Sequence, residues 1–134
     1  MTETRVLLDT SVVIAPPAAG LSTLGDLLAV SAISVAELEY GAYDEPDPLQ
    51  AHARRQRLDA TTNTFDILDF DRATAQRYGL LANMVRAAGC NPRPRRLDLL
   101  IAATAARHNL ALATRNPDDL RDLERALTVI PVED

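Results

Sequence analysis

Residues 97–113, LDLLIAATAARHNLALA, combine a helical pattern with a short apolar run directly after it. Apolar and small residues recur at helical spacing from Leu100 to Ala105, and Asn109 suits the C-cap region of a helix. We therefore predict a helix over Leu97–His108 and a strand over Leu110–Ala113. A short strand that follows a helix and carries few polar residues is typical of a parallel sheet buried on both faces. This unit predicts an α/β protein.

The same alternation of strands and helices extends over the rest of the chain. Further strands are predicted at Val6–Leu8, Ala29–Ile33, Phe65–Phe70 and Val129–Val132, and further helices at Ser22–Leu28, from Ser34 onward, at Pro48–Ala60 and up to Ala88. Ser34 and Glu37 have the spacing of a capping box, and Asp71 is the expected N-cap of the helix that ends near Ala88. Pro131 places the last strand at an edge because proline cannot donate a ladder hydrogen bond. These elements predict a mainly parallel sheet of four to five strands with helices on both faces.

Length and composition indicate one domain without a membrane segment. The chain has 134 residues and 47% hydrophobic content, which is enough for a core, so we expect residues 1–134 to form a single domain. The apolar stretches are far shorter than the ~20 residues of a membrane helix, and the start MTETR lacks a signal-peptide pattern. We expect a cytoplasmic protein with no membrane contact. Cys90 is the one cysteine, which excludes a multi-cysteine metal site.

Four acidic residues each lie at the end of an apolar run: Asp9, Glu37, Asp98 and Asp119. Carboxylates at the carboxyl ends of strands, or in the helices that follow, point into the crevice where open α/β sheets bind ligands. Two like charges ~4 Å apart at an effective dielectric of about 20 repel by roughly 4 kcal/mol. Such a cluster needs a bound cation or shifted pKa values. The two histidines form no ligand-spaced pair, so oxygen ligands favour Mg²⁺ or Mn²⁺ over zinc.

The charge distribution allows local phosphate binding. A net charge of −5 argues against a surface that binds nucleic acid everywhere. All fourteen basic residues are arginines, which bind phosphate in a bidentate manner. The two clusters are Arg54, Arg55 and Arg57, and Arg93, Arg95 and Arg96. The structural alternatives are a solvated helix face for the first cluster and a mobile basic loop for the second.

Five ordered segments resemble the PIN-domain ribonucleases, and among them the small VapC-type toxins of bacterial toxin–antitoxin pairs. They are VLLDTSVVI, SAISVAELEYG, FDRATAQRYGLL, LDLLIAATAARHNLALAT and TRNPDDL, and the resemblance runs from Val6 to about Val132. Five signals in order are far more specific than D-T-S alone. The resemblance implies a PIN-like α/β/α sandwich.

The resemblance also implies a set of metal ligands. Asp9, Glu37 and Asp98 match the first three acids of the family, and Asp119 matches the fourth acidic region. Asn116 occupies a position that many relatives fill with aspartate. The implied site holds one or two Mg²⁺ or Mn²⁺ ions, with Asp9 and Asp98 as principal ligands. Glu37 and Asp119 then act through water or on the nucleophile, with Asn116 as a neutral ligand or hydrogen-bond donor.

Further residues are implied to support this site. Ser11 and Thr114 match family hydroxyls that orient carboxylates or bound water, while Leu120 stands where the family usually has an aromatic residue. Arg93, Arg95, Arg96 and Arg115 are the expected contacts to the RNA backbone, which position a strand without reading its sequence. The implied reaction is endonucleolytic cleavage of RNA by a water whose pKa the metal lowers.

The implied partners are a VapB-type antitoxin and a second copy of the chain in a homodimer. The arginine-bearing helix at residues 54–57, with Tyr40 and Leu49 nearby, offers a mixed basic and apolar docking surface. The antitoxin would hold the ribonuclease inactive.

Each acid also has a structural explanation. Glu37 alone could close a capping box with Ser34, Asp98 could interact with the helix macrodipole, and residues 116–119 could shape a turn around Pro117. Asp9 could be only a helix N-cap. Four such coincidences in the order of the family are much less plausible than one site.

Three other functional classes compete with a ribonuclease. A phosphoryl-accepting receiver domain would require a lysine, and the chain has none. A catalytically inactive PIN-like interaction module would have no need of the near-complete acid set. A structure-specific DNA nuclease of the same fold usually carries added helices, for which this chain has little room.

Overall fold

A computed structural model describes residues 3–134 and contains one five-stranded sheet. The strands are β1 (Arg5–Leu8), β2 (Leu27–Ser31), β3 (Asp66–Leu68), β4 (Ala111–Thr114) and β5 (Val129–Pro131). The helices are α1 (Thr10–Ile14), α2 (Ala32–Asp44), α3 (Pro48–Thr64), α4 (Arg72–Ala87) and α5 (Arg96–Arg107), with 3-10 segments at Leu21–Thr23, Arg93–Arg95 and Pro117–Leu123. All neighbouring strands pair in parallel. The predicted α/β class and parallel sheet are confirmed.

The strand order β3-β2-β1-β4-β5 determines where a site can form. The chain adds strands on one side of β1 and then crosses over to build β4 and β5 on the other side. In open α/β sheets the ligand crevice lies at the carboxyl ends of the strands where the order reverses. Here that point lies between β1 and β4. The Asp9 amide donates to the Ala113 carbonyl at 2.9 Å, so pairing continues to the edge of the crevice.

Two hydrophobic layers cover the sheet. On one face, Leu7 and Leu112 pack with α4 and α5, and on the other, Val6 and Leu8 pack with α1, α2 and α3. Helix α5 is buried along most of its length, because Ala102, Ala103, Ala105 and Ala106 expose little surface. Its small side chains let the helix lie close to the sheet. Among residues 3–134, no helix is long and apolar enough to cross a membrane.

The predicted helix Ser22–Leu28 is wrong. Only a single 3-10 turn forms, at Leu21–Thr23, and Leu27 and Leu28 pair with β1 as the start of β2. The chain passes very close to β1 at Gly25, where a Cβ atom would lie 2.7 Å from the Val6 side chain. Strand pairing therefore overrides the local helical preference. Helix α1 was not predicted.

The predicted capping box of Ser34 and Glu37 is also wrong. Helix α2 begins at Ala32, and its N-cap is Ser31, whose hydroxyl accepts a hydrogen bond from the Ile33 amide at 3.0 Å. Ser34 is buried inside the first turn, and Glu37 lies farther along the helix. Its carboxylate is therefore not used at the helix terminus.

Other local predictions are confirmed. Asp71 caps α4 by accepting from the Thr74 amide at 2.9 Å. Asn109 has a φ of 56°, the left-handed conformation expected just after a helix. Pro131 lies on the edge strand β5. The helix predicted at Pro48–Ala60 continues to Thr64.

We predict that Leu99→Ala destabilises the fold far more than Leu97→Ala. Leu99 is 0% exposed in the layer between α5 and the sheet, whereas Leu97 is 49% exposed. Truncating a buried leucine costs about 2–5 kcal/mol, and an exposed one much less. Both residues flank Asp98, so the comparison is matched in position. Urea unfolding midpoints measure the difference, and equal losses would contradict the docking of α5.

Candidate functional site

Asp9 lies at the centre of the crevice, one residue beyond β1, and is only 7% exposed. Its Oδ2 atom accepts hydrogen bonds from the Ser11 hydroxyl at 2.6 Å and from the Thr114 hydroxyl at 3.1 Å. The same carboxylate caps α1 through the Ser11 amide at 3.4 Å. Asp9 is thus the N-cap of α1 and also a candidate site residue. All three hydrogen bonds use Oδ2, so Oδ1 remains available to a ligand.

Backbone and hydroxyl groups tie the ends of β1 and β4 together. Thr114 Oγ1 accepts from the Asn116 amide at 3.0 Å, and Ser11 Oγ accepts from the Arg115 amide at 3.2 Å. Thr114 is buried at the end of β4. The structure therefore brings both predicted supporting hydroxyls, Ser11 and Thr114, to Asp9 and fixes their direction.

Glu37 reaches the crevice from α2 through a contact that sequence reasoning missed. The Thr10 hydroxyl lies 2.8 Å from Glu37 Oε1 and 2.8 Å from the Ser34 hydroxyl. Thr10 opens α1 and so links that helix to α2. The only available signal was its place between Asp9 and Ser11 in the D-T-S segment. Thr10 orients Glu37 much as Thr114 orients Asp9.

Asp98 and Asp119 complete the acidic group. Asp98 is in the first turn of α5, and Asp119 is exposed in the Pro117–Leu123 segment. A cavity of about 10 Å³ lies among four of the five predicted ligands, whereas Glu37 lines a separate cavity between α1, α2 and α3. The first cavity is lined by Asp9, Asp98, Leu112, Thr114, Asn116, Asp119 and Leu120. This volume is about that of a single water or ion site. Leu120 is buried and packs with the core below, so the position that is usually aromatic in the family still anchors the segment.

The pKa of Asp98 shows that the acids interact. Burial raises the pKa of Asp98, and the charges of Asp9, Asp119 and Glu37 raise it further. Arg95 acts in the opposite direction. The charges of the other three predicted acids therefore act on Asp98.

The donor chemistry fits a hard divalent cation. All the converging side chains offer oxygen, the ligand that Mg²⁺ and Mn²⁺ prefer. Within the described residues, however, no group of three or more His, Cys, Asp or Glu side chains is arranged so that it could hold a metal ion. Mg²⁺ usually keeps several waters and binds through one or two carboxylates, so an open acidic group suits it better than a protein cage.

The four arginines predicted to contact RNA fall into two groups. Arg95 Nη1 donates to the Asp119 carbonyl at 3.0 Å, and Arg115 donates through Nε to Ala15 at 2.8 Å and through Nη1 to the Asp134 carbonyl at 2.9 Å. The Arg93 and Arg96 side chains form no ion pair within residues 3–134 and are exposed. Arg95 and Arg115 therefore bond to other residues of the protein beside the site, whereas Arg93 and Arg96 are available to a ligand.

Comparison with known proteins defines the class of this fold and site. The PIN domain family matches residues 6–126. Ribonuclease VapC4 of Mycobacterium tuberculosis is 33% identical over 117 residues, which cover 85% of this chain and 88% of that protein. The chain belongs to the PIN-domain family.

Solved structures support the same assignment. VapBC-5 from Mycobacterium tuberculosis, a member of the VapBC family of toxin-antitoxin systems, aligns with a TM-score of 0.81 at 27% identity, covering 97% of this chain and 99% of that chain. FitAcB from Neisseria gonorrhoeae aligns with a TM-score of 0.76 at 30% identity over 93% and 96% of the two chains. The predicted resemblance to the VapC-type PIN domains is confirmed.

We predict that Asp98→Asn raises the thermal midpoint of the protein by a few degrees at pH 7 in EDTA. The folded pKa of Asp98 lies above its unfolded value of about 3.9, so the folded state binds more protons between the two values. The free energy of unfolding therefore falls as pH rises from the unfolded pKa to the folded pKa of Asp98. Asparagine does not titrate, so the substitution removes this loss of stability. The gain should disappear below about pH 4, where the carboxyl is protonated in both states.

Asp118→Asn is the matched control for this measurement. Its side chain is 82% exposed and pairs with Arg121 at the surface, so its midpoint should change little. Differential scanning fluorimetry from pH 3.5 to 8 provides the comparison. A lower midpoint for Asp98→Asn at pH 7 would contradict the electrostatic interaction among these acids.

Proposed function

We propose that this PIN domain is a Mg²⁺- or Mn²⁺-dependent endoribonuclease and the toxin of a VapBC-type toxin–antitoxin pair. The observation that carries the proposal is the cavity at the reversal point of the sheet that Asp9, Asp98 and Asp119 line together, with Glu37 held by Thr10 next to Asp9 in the chain. The name of the relative Ribonuclease VapC4 supports RNA as the substrate.

The site residues would have different roles in this reaction. Asp9 and Asp98 would hold the cation, and Glu37, Asp119 and Asn116 would complete its surroundings. When bound, the cation supplies charge neutralisation and lowers the pKa of water. Ser11 and Thr114 keep the Asp9 carboxylate in one orientation, so that no rearrangement is required when substrate arrives.

Glu37 would act on the attacking water. Its Oε1 atom is held by Thr10, which leaves the second carboxylate oxygen as a proton acceptor. Arg93 and Arg96 stand at the start of α5, close in sequence to Asp98, and would bind the flanking phosphates. Such contacts fix the register of the RNA strand.

The two same-fold alternatives lack an observation in their favour. An inactive PIN-like module has no need of a hydroxyl-oriented carboxylate set, which this chain has built around Asp9 and Glu37. A structure-specific DNA nuclease would need binding elements beyond the helices that flank the sheet.

We predict metal-dependent RNA cleavage by the partner-free protein. Total RNA should be cut with Mg²⁺ or Mn²⁺, cleavage should stop in EDTA, and excess metal should restore it. Asp9→Asn or Asp98→Asn should reduce the rate at least about 100-fold, because each removes a charged ligand. Asp118→Asn, on the same exposed segment as Asp119, should cut at the wild-type rate. Mapping of the RNA ends measures cleavage, and activity that persists in EDTA would refute the metal mechanism.

The surface formed by α2 and α3 suits a docking protein segment. Tyr40 on α2 and Leu49 on α3 are strongly exposed, and a cavity of about 480 Å³ lies between α1, α2 and α3. The cavity is lined by Thr10, Ile14, Glu37, Leu38, Gly41, Gln50, Ala53, Arg54 and Arg57. It combines apolar walls with arginines and opens next to the site residue Glu37.

Two of the three clustered arginines in α3 have structural roles. Arg54 donates to the Gly41 carbonyl at 2.9 Å and pairs with Glu45, while Arg55 pairs with Glu39 and lies over the Tyr43 ring at 5.4 Å. These contacts brace α3 against α2. Arg57 forms no ion pair within the described residues and remains available to a partner.

We therefore propose that a VapB-type antitoxin segment occupies this cavity and blocks the site, in an assembly that contains a homodimer of this chain. An arginine from the antitoxin would pair with the acidic group and replace its cation. The relationship to VapBC-5 supports this type of partner.

We predict that co-expression with the small gene expected immediately upstream rescues growth and yields a stable complex. Leu49→Glu should weaken that complex because Leu49 is 80% exposed and directly precedes Gln50, which lines the cavity. Leu80→Glu is the control, since Leu80 is 47% exposed on α4, away from the cavity. Calorimetric titration of antitoxin into an Asp98→Asn toxin compares the two. The toxin assignment fails if the free protein is harmless and no adjacent small protein binds it.

A further inference from the structure

Arg95 is part-buried, and its guanidinium contacts other residues of the protein. Its Nη1 atom donates to the main-chain carbonyl of Asp119 at 3.0 Å and lies 3.5 Å from Asp122 Oδ2. Both side chains of the Arg95–Asp122 pair are part-buried. Arg95 thereby joins the 3-10 turn that leads into α5 to the separate segment that carries Asp119.

The segment that carries Asp119 needs support from outside. Residues Pro117–Leu123 form a seven-residue 3-10 segment, and 3-10 runs longer than three or four residues are uncommon because their hydrogen bonds are poorly aligned. Its N-cap residue, Asn116, makes no side-chain capping bond. Leu120 and Leu123 anchor the inner side in the core. On the outer side, the Arg95 guanidinium bonds directly to the Asp119 backbone.

We propose that Arg95 is a positioning residue that holds Asp119 against the first turn of α5, beside Asp98, and does not contact RNA. The proposal deepens the proposed function and rests on it in one respect, that Asp119 faces the metal. The planar guanidinium suits this task because it offers several donors in a fixed geometry, so one group can bond a carbonyl and a carboxylate together.

The neighbouring arginine provides an internal comparison. Arg96 follows Arg95 directly, is exposed, and forms no ion pair within the described part of the chain. The two residues have the same charge and almost the same place in the sequence. They differ in what their guanidinium groups touch, so the pair separates a positioning role from an RNA contact.

The test measures Mn²⁺ binding to the full-length protein by calorimetry without RNA, in wild type, Arg95→Gln and Arg96→Gln. Loss of a residue that orients a ligand costs about 10- to 100-fold in metal affinity, and we expect that loss for Arg95→Gln. Arg96→Gln should bind Mn²⁺ within about twofold of wild type, because it orients no ligand.

The kinetics of RNA cleavage should show the reverse difference between Arg95→Gln and Arg96→Gln. Arg96→Gln should raise KM and reduce the slope of log affinity against log salt by about 0.7, the value for one contact to a single strand. Arg95→Gln at saturating Mn²⁺ should lower kcat and leave KM and the salt slope unchanged. A reduced salt slope for Arg95→Gln, or Mn²⁺ affinity equal to wild type, would overturn the positioning role.

Two further variants keep the test decisive. Arg95→Met retains the apolar stem and is measured in the same way if Arg95→Gln does not fold. Arg95→Lys keeps the charge and one donor and should recover part of the Mn²⁺ affinity; no recovery would argue against the bond to Asp119. If wild type binds Mn²⁺ but cuts no RNA while Arg95→Gln loses Mn²⁺ affinity, the positioning role stands and the ribonuclease proposal fails.

Discussion

Repulsion among the carboxylates at the carboxyl ends of β1 and β4 is the constraint on which the rest of the site depends. The strand order places Asp9 at the reversal point of the sheet, and α5 and α2 bring Asp98 and Glu37 to the same crevice. Because these charges disfavour one another, the polypeptide must hold them there by other contacts. The packing of α5 on the sheet supplies the largest of these, since its buried alanines and Leu99 fix the first turn in which Asp98 lies.

Each acid is held by a different type of contact. Two hydroxyls, from Ser11 and Thr114, direct Asp9, and a third, from Thr10, directs Glu37. Asp98 lies at a helix N-terminus, where the macrodipole favours a negative charge. Asp119 is fixed through its backbone. Neutral donors and dipoles orient a carboxylate without cancelling its charge, so the group of acids keeps its negative charge.

The sequence predicted those features that depend on neighbouring residues. The Asp71 cap, the left-handed Asn109 and the edge position of Pro131 each follow from local chemistry, and all three are present. The helix at Ser22–Leu28 failed because pairing with β1 decided that segment, and the capping box failed because Ser31 supplied an earlier cap. The roles of Arg95 and Arg115 were beyond local reasoning, since their partners lie 24 and 19 residues away. Their residue type predicted phosphate binding, but only the fold decides which oxygen atoms they contact.

In the proposed ribonuclease, arginines would allow an acidic protein with an acidic site to bind a polyanion. With a net charge of −5, the chain as a whole repels RNA, so attraction would have to come from a bound cation and from arginines beside the site. If every arginine near the site were paired within the protein, no positive charge would be left for the substrate. If no arginine were paired within the protein, the Asp119 segment would lack its outer support. Arg95 and Arg96 divide these demands between adjacent positions. The same logic applies on α3, where Arg54 and Arg55 brace the helix and leave Arg57 at the cavity next to Glu37. A partner that reaches the site through that cavity therefore meets an arginine before it meets the acids, which favours an acidic stretch in the partner ahead of the residue that displaces the cation.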